Sequence, residues 1–134
     1  MAPQFCYNRN MTAERFRLLF EYEFWANRRT LESLQAAKQT GRGFGWMAHI
    51  LAAQAAWLTR LNGQDSSHVQ IFPERTPQSC ADELDRLARI IESYLSNLKE
   101  TDLAAEVVYT NQTGKQFRNA PLDILTHLGL HSHY

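Results

Sequence analysis

The sequence predicts an all-α fold, a four-helix bundle with a crossover loop and a small hairpin or extended loop before the last helix. Three observations carry this. Apolar residues recur at three- and four-residue steps over long stretches, the period of helices packed along one face. Segments containing glycine, proline and asparagine separate these stretches. Between the third and last helical patterns, Val107-Val108-Tyr109-Thr110 has instead the β-branched and aromatic character of extended backbone. A chain of 134 residues is one domain's worth and long enough to bury a core without staples. Residues 12–134 are therefore expected to form a single domain, with 1–11 a non-periodic N-terminal extension.

The first helix is expected from Thr12 to Lys38, with Thr12 as N-cap and Glu14 in the first turn, where a carboxylate suits the helix dipole. Phe16, Leu19, Phe20, Phe24, Leu31 and Leu34 make its apolar stripe, interrupted by Asn27. Gly41-Arg42-Gly43 supplies the stop signal. The second helix, Phe44 to Leu61, is apolar in nearly every direction, which predicts burial on several sides. Its polar breaks are His49, Gln54, Thr59 and Arg60. Ala52, Ala53 and Ala56 fall on the His49 side, where small side chains either leave open volume or let two helices approach closely. Trp46 and Trp57 read as core or interface aromatics.

A polar crossover loop containing His68 follows, from Asn62-Gly63 to Thr76-Pro77. The third helix is expected over Ser79 to Lys99, where Leu84, Leu87, Ile91, Tyr94 and Leu98 keep a 3-4 rhythm suited to bundle packing. Residues 106–118 read as a hairpin or extended loop turning at Asn111 to Gly114. Pro121 suits the first turn of the fourth helix. Short or hairpin-sized joins make the first and second helices, and the third and fourth, antiparallel pairs.

Composition narrows the function classes. Lys+Arg and Asp+Glu both number 14, so no basic patch argues for nucleic acid and no net charge for an anionic membrane. No apolar run is long enough to span a bilayer, and the first residues lack a secretory h-region. Cys6 and Cys80 are too few for a disulfide framework, and a cytoplasmic location is expected.

The histidines carry the chemical signal. His127 and His131 lie four residues apart on one helical face, close enough for both imidazoles to reach one ion. A site needs at least a third group. His49, in an apolar stretch where an imidazole needs a partner, is the best candidate. The competing readings are a hydrogen-bonded core histidine at 49 and a solvated pair at 127 and 131. Glu23 and Asp123 are either surface carboxylates or groups that orient an imidazole.

Four segments taken together resemble the DinB family, also described as DinB/YfiT-like metalloenzymes: Leu19 to Arg29, His49 to Leu61, Val108 to Gly114 and Leu125 to His131. The resemblance covers most of residues 12–134. It implies a four-helix bundle, commonly a homodimer, holding a divalent metal through three histidines, one early in the second helix and two on the last. His49 matches the first ligand and His131 the second. The family's closing motif is His-x-x-x-His-x-x-x-His followed by Arg-Gly, and its last histidine falls one position past Tyr134. This departure predicts either a fragment or an altered site. His127 matches the first, less constant histidine of that run and takes the third place only in a rotated helix or with a displaced ion, while His133 points off the shared face. A neutral three-histidine set suits Zn²⁺, Ni²⁺ or Fe²⁺ and implies a metal-dependent hydrolase or thiol transferase acting on a small molecule. The alternative is a non-catalytic dimeric bundle, motivated by the apolar second helix.

Overall fold

The computed structural model describes residues 12–38 and 42–131, excepting the side chains of Leu130 and His131. Four α-helices, one 3-10 turn and a two-stranded antiparallel hairpin follow in chain order: α1 Ala13–Ala36, α2 Arg42–Leu61, α3 Pro77–Asn97, the 3-10 turn Glu100–Ala104, β1 Val107–Thr110, β2 Gln116–Asn119 and α4 Pro121–His131. The expected N-terminal extension and the Gly41 stop signal lie outside the described residues.

Local sequence sets most boundaries. The Thr12 hydroxyl accepts from Arg15 N–H at 3.3 Å and caps α1. Beyond Ala37 the chain turns at Lys38, which takes a positive φ of 52°. Arg42 and Gly43, expected in the loop, already belong to α2. Pro77, expected to close the crossover loop, is instead the first residue of α3, since a proline there costs no helical hydrogen bond. Thr76 caps that end, accepting from Ser79 N–H at 3.1 Å. The α3 helix ends at Asn97, and a 3-10 turn not foreseen from the sequence buries Leu103.

The helix α3 packs against both α1 and α2. Arg17 of α1 donates from Nε and Nη2 to the Leu95 carbonyl at 3.0 and 2.7 Å, and Arg28, three turns on, reaches Asp85 at 2.8 Å. Residue number rises on one helix as it falls on the other, so α1 and α3 are antiparallel. Phe16, Phe20 and Phe24 of α1 join Leu84, Leu87, Ile91 and Leu95 of α3 in the core. The α2 helix is buried at 11 of its 20 residues, which fulfils the expectation from its all-round apolarity. Ala52, Ala53 and Ala56 are all buried.

The hairpin pairs Val107 with Asn119 and Thr110 with Gln116. It is fixed beyond the carboxyl end of α2: a Cβ placed on Gly63 would sit 3.7 Å from the Val108 carbonyl, and Ser66 N–H donates to Thr110 O at 3.2 Å. Asn119 returns to this end, so α4 starts there and runs back along α2, with which it packs. Where α4 crosses α1, Gly129 allows close approach, because a Cβ there would lie 2.6 Å from Leu19 Cδ2.

Candidate functional site

His49 sits half-buried in the second turn of α2, wrapped by the crossover loop. Its Nδ1 lies 2.9 Å from the Ile71 carbonyl. A carbonyl only accepts, so Nδ1 carries the proton of this bond, and in a neutral ring Nε2 then holds the in-plane lone pair. The Phe72 ring lies flat on the imidazole, with centroids 4.2 Å apart and planes 6° apart. Trp46 meets it edge-on at 6.2 Å and 73°. The hydrogen bond to Ile71 and the ring contacts with Phe72 and Trp46 hold the plane of His49. This contact joins residues 22 apart in sequence, and helical spacing contains no trace of it.

His127 is exposed on α4, and its ring lies 4.6 Å from that of Trp57. Trp57 is eight residues beyond His49, about 12 Å along the helix axis at 1.5 Å per residue. Because α4 runs back along α2, its last turn, which holds His131, lies on the His49 side of His127. The His131 side chain is outside the described atoms, and His133 is outside the described residues. His68 is exposed in the crossover loop. Among the described residues no three His, Cys, Asp or Glu side chains form a metal-holding group.

The two carboxylates that the sequence left open separate clearly. Glu23 is buried in α1, one turn beyond Leu19, the residue that α4 approaches at Gly129. Asp123 is exposed in the first turn of α4, where its charge faces the positive helix end. Cys80 is a buried free thiol pushed up in pKa by desolvation, against a smaller opposing pull from Arg75, so it is poorly suited to act as a nucleophile.

Sequence reading missed a second polar centre. Arg60, in the last turn of α2, is buried. Its Nε donates to Ser66 Oγ at 3.0 Å and its Nη2 to Gln112 Oε1 at 2.7 Å. The guanidinium stacks 4.4 Å from the Trp57 ring centroid and 5.3 Å from that of Tyr109. Desolvation lowers its pKa, with Tyr109 pulling weakly the other way. Arg60, Trp57 and His127 thus form one column, which couples α4 to the hairpin and the crossover loop. The arginine at the end of an apolar helix was the only sequence signal for it.

No family model matches the chain, and neither curated proteins nor solved structures give a match.

Proposed function

We propose that the chain is a DinB-type divalent-metal protein whose four helices close as a bundle, with His49 and His131 as ligands and His127 one helical turn before His131. The orientation of His49 carries this reading. Metal-ligating histidines donate their other ring N–H to a carbonyl or carboxylate, which fixes the tautomer and raises ligand basicity, and His49 makes that bond to Ile71. A set of neutral imidazoles suits Zn²⁺, Ni²⁺ or Fe²⁺. Such an ion supplies Lewis-acid activation of a water or a thiol, the chemistry of a hydrolase or thiol transferase. Phe72 and Trp46 shield the His49 ring from one side and keep its plane constant.

The test is a Zn²⁺ and Ni²⁺ titration of the full chain followed by elemental analysis. One stoichiometric ion in the native chain, lost in His49→Ala, is the expected result. A chain that takes up no stoichiometric metal, or a variant that binds as well as the native protein, sinks the assignment.

A homodimer is the second element of the reading. The apolarity of α2 is used inside the fold, so it no longer argues for a partner. A run of exposed apolar residues lies on α1: Leu18, Tyr22 and Trp25 are 59, 55 and 53% exposed and follow one helical stripe. An antiparallel pairing of two α1 helices about an axis between Glu21 and Tyr22 sets Leu18 against Trp25 and Glu14 against Arg29. Sedimentation of the native chain is expected to show a dimer and Trp25→Glu a monomer; a monomeric native chain removes this element.

A further inference from the structure

Two of the exposed aromatic side chains stand apart from the α1 stripe. Trp46 is 56% and Phe72 70% exposed, and with Arg42, Gly45 and Pro73 they line a cavity of about 300 Å³ at the amino end of α2. His49 does not line it. The imidazole covers one face of Phe72, is parallel to that ring within 6° and stands at 73° to Trp46. Phe72 and Trp46 are therefore held as two walls meeting near a right angle, and Phe72 keeps most of its surface exposed. Phe72 has no core role that would explain its ordered stacking.

The rest of the cavity has a definite chemistry. Gly45 forms part of the wall, and a Cβ built on it meets nothing within 4 Å, so the space above this helical residue is open. Arg42 is exposed at the rim, and no ion pair joins it to a carboxylate among the described residues. The first turn of α2 contains no acidic residue, so no carboxylate of its own first turn offsets the positive end of this 20-residue helix.

We propose that the corner between Trp46 and Phe72 binds a small flat aromatic group carrying an anionic substituent, the ring stacking on Phe72 and the anion pairing with Arg42. Ring stacking in offset or edge-to-face geometry supplies the apolar part of the affinity. The guanidinium supplies the charge selectivity, through a fork that matches a carboxylate. A volume of about 300 Å³ is at the small end for a ligand pocket and fits a one- or two-ring acid. The slot adjoins His49 but stands whether or not that residue holds an ion.

The probe is 2-naphthoate, titrated into the full chain by calorimetry and by the Trp46 indole N–H resonance, with neutral 2-naphthamide as the comparison. Saturable binding with the Trp46 resonance shifted is expected, together with at least a tenfold preference for the acid. Gly45→Leu, which fills the slot at an open helical position, is expected to raise the dissociation constant at least tenfold. Arg42→Gln is expected to abolish the preference for the acid while leaving naphthamide binding unchanged. Absent binding, binding indifferent to Gly45→Leu, or a preference that survives Arg42→Gln each overturns the proposal. Running the titration with and without Zn²⁺ separates it from the metal reading, since equal affinity in both is expected here.

Discussion

Arg60 shows how much one side chain can hold when it is buried among neutral partners. Its two hydrogen bonds reach the crossover loop at Ser66 and the hairpin at Gln112, while its flat face rests on Trp57 and Tyr109. Lysine keeps the charge but has neither the planar fork nor the stacking surface. Arg60→Lys is therefore expected to lower unfolding free energy by about 2 kcal/mol, as the loss of charged hydrogen bonds and a cation–π contact implies. Urea denaturation measures this, and a change below about 0.5 kcal/mol would show the clamp to be incidental. Glu83 gives the matching acidic case. Arg86 donates to both its oxygens at 2.8 and 2.6 Å, and the hydrogen bonding to Arg86 pulls the buried carboxyl below its ordinary pKa of 4.5, against desolvation. A depressed folded-state pKa stabilises above the unfolded value and loses that stabilisation as pH falls through the folded one. Glu83→Gln is accordingly expected to melt lower than the native chain at pH 7, with the gap closing below pH 4.5. A gap that stays constant down to pH 3 contradicts the assignment.

At the scale of elements, the start of α1 was legible because a side chain caps its own backbone there. Thr12 was identified as a cap from its place before the apolar stripe, and it is one. Thr76 does the same for α3, but Pro77 beside it carried a loop signal that masked the helix start. A proline reads as a breaker inside a helix and as a starter at its first position, and the sequence alone does not say which applies. Thr76→Ala is expected to cost about 1 kcal/mol, the usual loss for a missing N-cap, with thermal unfolding as the measurement. An unchanged melting temperature would mean that the proline alone fixes this helix start. The 3-10 turn escaped notice because its anchors are distant or local to loops: Glu100 Oε1 accepts from Ala13 N–H at 3.0 Å, across 87 residues.

Over the whole molecule, periodicity revealed what each helix buries but little of what it touches. The stripe through Phe16, Phe20, Phe24 and Leu31 and the one through Leu84, Leu87, Ile91 and Leu98 are core, as their spacing predicted. The setting of His49 was not legible, because Ile71 and Phe72 come to it from an irregular loop. The same limit hid the surroundings of the interior polar groups, though Asn27 and Gln54 stood out as polar breaks. Asn27 of α1 and Gln54 of α2 are 7 and 3% exposed, and Asn27 Nδ2 and Gln54 Oε1 find no hydrogen-bond partner among the described residues. Each such atom costs about 1–3 kcal/mol of lost hydration, a large fraction of the 5–15 kcal/mol by which a domain of this size is stable. Leucine has the branching of asparagine and a volume near that of glutamine, and it removes the orphaned atom. Asn27→Leu and Gln54→Leu are therefore each expected to raise the melting temperature, by an amount corresponding to about 1 kcal/mol. The two changes together should add if the side chains are independent and depart from additivity if they share one interior space. A lower melting temperature in either single variant would mean that water already satisfies these atoms inside the fold, and the interior would then be wet between α1 and α2.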